Sequence, residues 1–580
     1  MASEETTRHD PASASALTRW LPGAAMLAGY RRAWLRHDLL AGLVLTAVLI
    51  PAGMGYAQAA GLPAYAGLFA TVVPLIVYAV VGPSRVLVLG PDSALAPIIA
   101  ATVLPLAAGS TDRAVALAGV LGVLVGAALI TAGLVRIGFL ADLLSRPIRV
   151  GYLTGIAVVV LISQAPVLVG IEVDGGSPVV EFVEFVRLLF TGAVLGPSAI
   201  IGLGSLTVIV LASLFGVRAV GVVVAVAGSI VAVAVMGWSG EVAVVGALPR
   251  ELPVPARGLV GWSDVAALTV PALGIALIAL ADTSVLSRTF AARRGESVDA
   301  DAEMRAVGAA NVAGGLFGGF PVSASASRTP VAEQAGARSQ LAAVVGALLL
   351  VAFMFLMPWV TAYLATAALA AVVIVAAASL IDLRGLARLL RMDRLEGALS
   401  LAATTGVVVI GVLEGILVAI GLSLVAFVNQ SRRPYRVELG RVPGLRGYHD
   451  LARNPTARRV PGIAIVRFDA PLFFANGSLF DDFVRDVVRA TPEPLTAVVL
   501  AAEPITRIDT TAVEELIELD DYLAARGIVF VIAELKHPVR DQLRRYGLES
   551  RFGADRLAPT VGAAVDQLTG EYRSDLPEPG

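Results

Sequence analysis

The sequence predicts an all-α membrane domain followed by a smaller α/β domain at the C-terminal end. First, the 580 residues are 57% hydrophobic and 16% charged, whereas soluble globular chains carry about 25% charged residues. Second, residues 39–430 hold 39 charged residues, whereas the last 150 residues hold 42. Third, the long apolar runs that a bilayer requires occur only in the first block. These observations exclude an ordinary soluble enzyme.

The composition also excludes several kinds of site. A net charge of −2 gives no electrostatic signature of a nucleic-acid partner. The absence of cysteine excludes disulfides, thiolate chemistry and cysteine metal sites, and four histidines leave little material for a metal centre. We therefore expect no metal, no cofactor, no nucleic-acid partner and no enzymatic activity.

The change from apolar to charged composition begins at Ser431 and sets the domain organisation. We predict a cytoplasmic N-terminal segment (1–37), a transmembrane domain (38–430), a linker (431–460), an α/β domain (461–570) and a polar tail (571–580).

The apolar runs predict about 14 transmembrane segments. Their centres lie near residues 48, 74, 98, 124, 158, 206, 228, 275, 312, 332, 349, 370, 404 and 420. Arg31, Arg32 and Arg36 precede the first run, so the positive-inside rule places the N-terminus in the cytoplasm. An even number of spans then returns the C-terminus to the cytoplasm.

Two apolar stretches are interrupted by prolines and serines, Gly90–Pro97 and Phe320–Pro330. Ser93 and Ser325 are 232 positions apart, and a second polar pair, Tyr56 and Asp282, is 226 positions apart. Near-equal offsets are typical of two seven-span repeats. Broken segments at matching positions are the strongest sequence indication of a transporter binding site.

Breaks of this kind expose unpaired N–H groups and the positive ends of half-helices inside the bilayer. Two such ends that face each other form an anion site, to which Ser93, Ser325, Ser327 and Arg328 add hydroxyl donors and positive charge. The alternatives are that the serines bond to their own backbone carbonyls and that Arg328 extends to the cytoplasmic surface.

Asp282 ends an apolar run, and a carboxylate within the membrane is a functional hypothesis by default. We assign it to proton coupling, with a structural hydrogen bond as the alternative. Asp92 either takes part in proton or substrate binding or caps the first half-helix. Tyr56 either lines the cavity or packs between helices.

The C-terminal block alternates predicted strands, at Ile463–Phe468, Leu495–Leu500 and Ile528–Ile532, with a helix over Thr510–Arg526. It has no glycine-rich phosphate loop or nucleophile elbow. Thr510, at a helix N-terminus, is a candidate phosphate acceptor, and the alternative is a plain capping threonine.

Ten short stretches together resemble the SulP sulfate permeases, also called solute carrier family 26, over about residues 35–570. They are Ile50-Pro51, Tyr56-Ala57, Gly61-Leu62-Pro63, Gly82-Pro83-Ser84-Arg85, Gly90-Pro91, Ser145-Arg146-Pro147, Gly151-Tyr152, Gly155, Phe320-Pro321-Val322-Ser323 and Ser327-Arg328-Thr329. The tail is similar to a STAS domain, with Ile508-Asp509-Thr510-Thr511 at its signature turn.

The resemblance implies a bacterial inner-membrane anion transporter with a 7+7 inverted repeat, core and gate domains, an elevator-like movement and a homodimeric assembly. It implies an anion held between half-helices three and ten, with Asp282 as the acid of span eight. The implied substrate-binding residues are Tyr56, Ser93, Ala94, Ser325, Ala326, Ser327 and Arg328.

Three positions depart from relatives in the family. Animal relatives carry a glutamine at Ala52, and sodium-coupled bicarbonate relatives carry hydroxyl residues at Leu286 and Ala326. Because Na⁺ prefers oxygen ligands, the last two departures argue against sodium coupling and favour protons.

The leading hypothesis is therefore a proton-coupled secondary transporter of sulfate-like or small carboxylate anions. A bicarbonate or dicarboxylate transporter and an anion exchanger remain open, as do stoichiometry, oligomeric state and phosphorylation of the STAS domain. An alternative of another class is a membrane-anchored protein that recruits a cytoplasmic partner through this domain. A nucleobase permease is disfavoured by Arg328 and the STAS-like tail.

Overall fold

The computed structural model describes residues 21–138, 145–173, 177–191, 196–250, 260–432 and 434–570. The chain divides into two compact units, Met1–Ser423 and Leu424–Gly580. The two units are described separately below.

The first unit is built from helices, interrupted by two very short strands. The elements are α1 (Pro22–Ala28), α2 (Leu35–Ala59), α3 (Ala64–Val81), β1 (Leu89–Gly90), α4 (Ala96–Ala107), α5 (Thr111–Val135), α6 (Arg146–Val169), α7 (Pro178–Phe190), α8 (Pro197–Leu214), α9 (Arg218–Met236), α10 (Trp262–Arg293), α11 (Ala300–Leu316), β2 (Ser323–Ala324), α12 (Arg328–Gln334), α13 (Leu341–Leu356), α14 (Thr366–Ala378), α15 (Leu383–Met392), α16 (Arg394–Val409) and α17 (Val412–Arg432).

Each predicted span centre falls within one of these helices. Within the described ranges, eight helical stretches are long and apolar enough to cross a membrane, and one of them, Thr366–Met392, includes both α14 and α15. Shorter apolar helices lie at Ala96–Ala107, Leu341–Leu356 and Leu417–Asn429. A multi-pass membrane domain is thus confirmed, whereas the count of fourteen spans and the 7+7 repeat stay predictions. The helices α1, α7 and α15 correspond to no predicted centre.

Glycines allow helices α5 and α11 to pack in close contact. A β-carbon on Gly119 would come within 2.7 Å of the carbonyl oxygen of Gly315, and one on Gly126 within 2.5 Å of that of Gly308. Small residues at helix interfaces are the usual way to gain packing in a bilayer, where apolar burial between helices gives little driving force.

Polar contacts show which helix ends share a face of the unit. Asp38, at the start of α2, accepts hydrogen bonds from the backbone N–H groups of Arg338 (2.6 Å) and Ser339 (3.2 Å), just before α13. The carboxylate of Asp301, at the start of α11, accepts one from the N–H of Gly138, after α5. Arg294, which follows α10 and precedes α11, donates to the carbonyl of Ala337 (3.2 Å), next to Arg338. Both contacts therefore lie at one end of the unit, which we call the Asp38 face.

The other ends of helices α5 and α10 are also joined by a polar contact. Arg113, at the start of α5, donates to Asp264, at the start of α10, over 3.0 Å. Since α5 and α10 both reach the Asp38 face at their other ends, Arg113 and Asp264 mark the opposite side of the unit.

The second unit contains a six-stranded sheet in the order β4-β3-β5-β6-β7-β8. Strands β5 to β8 are parallel, and β3 and β4 are antiparallel additions at one edge. The elements are β3 (Arg436–Arg441), β4 (Tyr448–Asp450), β5 (Ile463–Phe468), α18 (Gly477–Ala490), β6 (Ala497–Ala501), α19 (Thr510–Ala524), β7 (Val529–Ala533), α20 (His537–Arg545), β8 (Leu557–Ala558) and α21 (Val561–Thr569).

The predicted strands and helix of this unit are present, with ends that differ by at most two residues. The structure differs over 431–460, which the sequence predicts as a linker but which contributes both β3 and β4 to the sheet. These strands are short and largely polar, with the sequences Arg-Val-Glu-Leu-Gly-Arg and Tyr-His-Asp. The hydropathy pattern alone therefore does not separate them from a polar connection.

Candidate functional site

The two broken segments lie side by side. Strands β1 and β2 pair antiparallel, with Leu89 opposite Ala324 and Gly90 opposite Ser323. Beyond the strands, the N–H of Ser325 donates to the carbonyl of Val88 over 3.0 Å. The two broken segments are therefore hydrogen-bonded neighbours, and an anion site between them stays a prediction.

A short helix follows each strand. Helix α4 begins at Ala96 and α12 at Arg328, so their starts are separated by the same 232 positions as Ser93 and Ser325. Pro97 and Pro330 lie in the first turns of these helices, where a proline is tolerated because the missing N–H would have no partner within the helix. Helix α12 is only seven residues long, so its dipole is weaker than that of a full half-helix.

The strongest positive charge at the breaks is the side chain of Arg328. It is fully buried, and its Nη2 donates to the carbonyl oxygen of Pro91 on the first break. Its Nε and Nη1 are buried without a hydrogen-bond partner. The alternative in which Arg328 extends to the cytoplasmic surface is therefore wrong.

Gly90 makes room for this guanidinium. A β-carbon at this position would lie 2.9 Å from Nη1 of Arg328, closer than side-chain carbons normally approach. Gly90 also has a φ of 151°, in the region that favours glycine. Both features tie Gly90 to the placement of Arg328.

The serines of the second break form a local network. The Oγ of Ser325 lies 3.2 Å from that of Ser327 and accepts a hydrogen bond from the N–H of Arg328. Ser325 is buried, Ser327 is half-buried and Ala326 is exposed. This break therefore borders open space at Ala326 and Ser327.

Three further predicted residues lie around the first break. Ser93 and Ala94 are buried. Asp92 is half-buried, and its Oδ2 accepts a hydrogen bond from the N–H of Ala94 (3.2 Å). Tyr56 is buried, and its side chain is within electrostatic range of Asp92 and Arg328.

Asp282 lies on α10 and is half-buried. Its carboxylate is within electrostatic range of Asp92 and of Arg149, at the start of α6. Its neighbour Thr283 accepts a hydrogen bond from the N–H of Ala324 in β2 (3.3 Å). Asp282 is thus the direct neighbour of the residue whose hydrogen bond connects α10 to the second break.

Two positioning residues were missed by the sequence analysis. The fully buried Asn311 on α11 binds both backbone groups of Val322, whose N–H lies 2.8 Å from its Oδ1 and whose carbonyl lies 2.9 Å from its Nδ2. Thr329 accepts a hydrogen bond from the N–H of Val88 (3.1 Å). An asparagine in an apolar helix was the available signal for the first.

Two known protein families match this chain. The pattern of the sulfate permease family matches residues 35–403, and that of the STAS domain matches residues 454–564. The chain belongs to the sulfate permease family. Its family is one of membrane transporters, and its second unit is a STAS domain.

The similarity to relatives extends over nearly the whole chain. A "probable sulfate transporter" of Mycobacterium tuberculosis H37Rv is 42% identical over 549 residues, which are 94% of this chain and 97% of the relative. The "probable sulfate transporter 4.2" of Arabidopsis thaliana is 29% identical over 552 residues, 92% of this chain and 81% of the relative.

Solved structures share the fold of this chain. The murine solute carrier 26 family member A9 anion transporter, in the inward-facing state, has a TM-score of 0.88 at 22% identity and covers 97% of each chain. The transmembrane domain of the cyanobacterial bicarbonate transporter BicA has a TM-score of 0.57 at 20% identity, over 68% of this chain and 98% of BicA.

In the STAS domain, Thr510 is exposed at the first position of α19. The cap of this helix is Asp509, whose carboxylate accepts hydrogen bonds from the N–H groups of Ala512 (2.9 Å) and Phe474 (2.8 Å). Because the side chain of Asp509 performs the capping, the hydroxyl of Thr510 is not needed for it.

Proposed function

We propose that this protein is a secondary active transporter of small, sulfate-like anions, which bind between the β1–α4 and β2–α12 segments. The single observation that carries the proposal is Arg328, a buried guanidinium with two nitrogens that lack partners. Within the described ranges, no carboxylate lies at ion-pair distance from it. A buried charge without a partner is costly, and a bound anion would remove that cost.

The chemistry of the site favours compact oxyanions. The predicted binding set is Tyr56, Ser93, Ala94, Ser325, Ala326, Ser327 and Arg328, which supplies hydroxyl, backbone N–H and guanidinium donors. An array of donors suits an anion whose oxygens accept on several sides. Sulfate is our first candidate, and bicarbonate, dicarboxylates and anion exchange are the alternatives.

We assign proton coupling to Asp282, with Asp92 as a second participant. Asp282 is within electrostatic range of Asp92 and adjoins Thr283, which binds β2. Neutralisation of Asp282 by a proton would reduce the negative charge beside the site as an anion enters. We further propose elevator-type alternating access, a homodimer, and a bacterial cytoplasmic membrane with both termini inside.

The test is uptake by the full-length protein in sealed proteoliposomes. Radiolabelled sulfate, bicarbonate and succinate are offered separately, with and without an inwardly directed proton gradient and with Na⁺ present or replaced by choline. We expect uptake of at least one anion, stimulated by the proton gradient and indifferent to Na⁺. Correctly inserted protein that transports none of these anions would refute the proposal.

A second candidate function, recruitment of a cytoplasmic protein by the STAS domain, has one observation in its favour. Beside the exposed Thr510 lies Phe474, whose side chain is 71% exposed and whose N–H is held by Asp509. A phosphate on Thr510 would interact favourably with the N-terminus of α19. We propose Thr510 as a regulatory position of the transporter.

A glutamate at position 510 is expected to change the uptake rate or the set of captured cytoplasmic proteins, because it places negative charge at the start of α19. The Thr510→Ala variant should behave like the wild type. Thr456→Glu is the matched control, since Thr456 is an exposed threonine elsewhere in the domain. If Thr510→Glu alters neither measurement, Thr510 is not regulatory.

A further inference from the structure

Helix α15 carries a basic face that the transport site does not use. Arg384, Arg388 and Arg391 follow the i, i+4, i+7 spacing that places side chains on one face of a helix. All three residues are exposed. Within the described part of the chain, no carboxylate forms an ion pair with any of them.

The nearest acids in sequence are already engaged. The carboxylate of Asp382 accepts a hydrogen bond from the N–H of Gly385 (2.7 Å). That of Asp393 accepts from the N–H groups of Leu395 (2.7 Å) and Glu396 (3.3 Å). Both acids therefore cap the starts of α15 and α16, and the three guanidinium groups are left for a partner outside the unit.

The same helix exposes apolar side chains on its other faces. Leu383 is 66% exposed and Met392 is 78% exposed. Leu390 is partly covered by α16, where a β-carbon on Gly397 would approach its side chain within 2.5 Å. Exposed leucine and methionine beside an arginine row form the pattern of a helix that lies in a membrane interface.

The connections of α15 place it at a membrane surface. It joins α14 and α16, two helices of the membrane domain. A β-carbon on Gly151 of α6 would lie 2.9 Å from that of Ala403 on α16, and one on Gly155 would lie 2.7 Å from that of Val407. The contact positions move four residues towards the C-terminus on both helices, so α6 and α16 run parallel.

The start of α6 is separated from Gly138, on the Asp38 face, by only a short segment. Since α16 begins on the same side as α6, the preceding α15 also lies on the Asp38 face. By the positive-inside rule, an arginine-rich face of a membrane domain is the cytoplasmic one.

We propose that α15 lies in the plane of the bilayer and that Arg384, Arg388 and Arg391 bind the phosphate groups of anionic phospholipids. Arginine pairs with phosphate through several N–H donors at once. A lipid satisfies both sides of the helix, because its headgroup meets the arginines while its acyl chains cover Leu383 and Met392. An acidic soluble protein would leave those apolar side chains in water.

The site has a consequence for transport, because α15 connects two helices that both pack against α6. An anionic lipid that fixes α15 at the surface restricts the ends of α14 and α16. We therefore expect the fraction of anionic lipid in the membrane to affect the transport rate.

The test compares the wild type with the triple variant Arg384→Gln, Arg388→Gln, Arg391→Gln, both full length. Native mass spectrometry in detergent counts bound phosphatidylglycerol, a readout that does not depend on the transported anion. Because each arginine near an anionic surface adds to the attraction, we expect lipid binding to weaken by about tenfold or more in the triple variant. In vesicles, adding phosphatidylglycerol to phosphatidylcholine should alter the uptake rate of the wild type but not that of the variant.

The charge-matched control is Arg489→Gln, Arg526→Gln, Arg544→Gln on the STAS domain, which removes three exposed arginines elsewhere and should retain wild-type lipid binding. A lysine triple at positions 384, 388 and 391 should retain most of the binding. If the glutamine triple inserts poorly, Arg388→Gln alone should give a smaller loss of the same kind. Equal phosphatidylglycerol retention by the wild type and the glutamine variants overturns the proposal, as does an equal loss in the control.

Discussion

Replacement of Arg328 by glutamine is expected to lower anion uptake by about a hundredfold or more. Glutamine removes the positive charge and the nitrogens Nε and Nη1, which are buried without partners. Hydrogen bonds to charged groups contribute about 1.5–3 kcal/mol each, and about 1.4 kcal/mol corresponds to tenfold in affinity. Two such bonds to a substrate anion would account for the expected loss, measured as initial uptake in proteoliposomes.

The matched control for this variant is Arg293→Gln. Arg293 is an exposed arginine at the end of α10 that pairs with Glu333 over 3.1 Å, and its loss should change uptake little because surface ion pairs are weak. Arg328→Lys keeps the charge but not the fork of donors, so it should fall between the wild type and the glutamine variant.

Arg328 also donates to Pro91, so misfolding must be separated from loss of binding. Thermal unfolding of each variant, with and without sulfate, makes the distinction. A glutamine variant that melts like the wild type without sulfate, but gains no stability from sulfate, supports the assignment. Uptake within a few-fold of the wild type would rule it out.

The second large expected effect concerns Asp282 and the proton gradient as the driving force for uptake. The Asp282→Asn variant is expected to lose the stimulation of uptake by a proton gradient while retaining exchange of one internal anion for one external anion. Asparagine is close in size to aspartate but has no proton to exchange at physiological pH. The measurement is concentrative uptake with and without a pH gradient, together with counterflow at equal pH.

The comparison for this variant is Asp112→Asn. Asp112 is an exposed acid in the first turn of α5, so its neutralisation should leave the pH response unchanged. If Asp282→Asn still accumulates anion in response to a proton gradient, the coupling group lies elsewhere. Asp92 is then the next variant to measure, because it is the other acid assigned to coupling.

The broken segments could be predicted from the sequence because their signal is local. Proline, glycine and serine at Gly90–Pro97 and Phe320–Pro330 interrupt apolar runs in both halves, and a proline restricts backbone in any context. The pairing of β1 with β2 could not be predicted in the same way, since two-residue strands carry no periodicity. It depends on contacts between positions more than two hundred residues apart.

The orientation of the Arg328 side chain could likewise not be predicted from the neighbouring sequence. The sequence allowed it to extend to the membrane surface or to face the site, and the outcome depends on the carbonyl of Pro91 and the space left by Gly90. Helix α15 could not be predicted for a different reason. Its arginines were visible in the sequence, but a span-counting method interprets such a segment as a turn and ignores its amphipathic face.

The short ladder between β1 and β2 also limits how the binding site can open. Hydrogen bonds from Ser325 to Val88, from Val88 to Thr329 and from Arg328 to Pro91 join the two broken segments. Separating the segments to release a solute would break these bonds together, away from water that could replace them. The joined segments and any solute between them are therefore expected to travel as one rigid block, with exit paths created by sliding that block past the remaining helices.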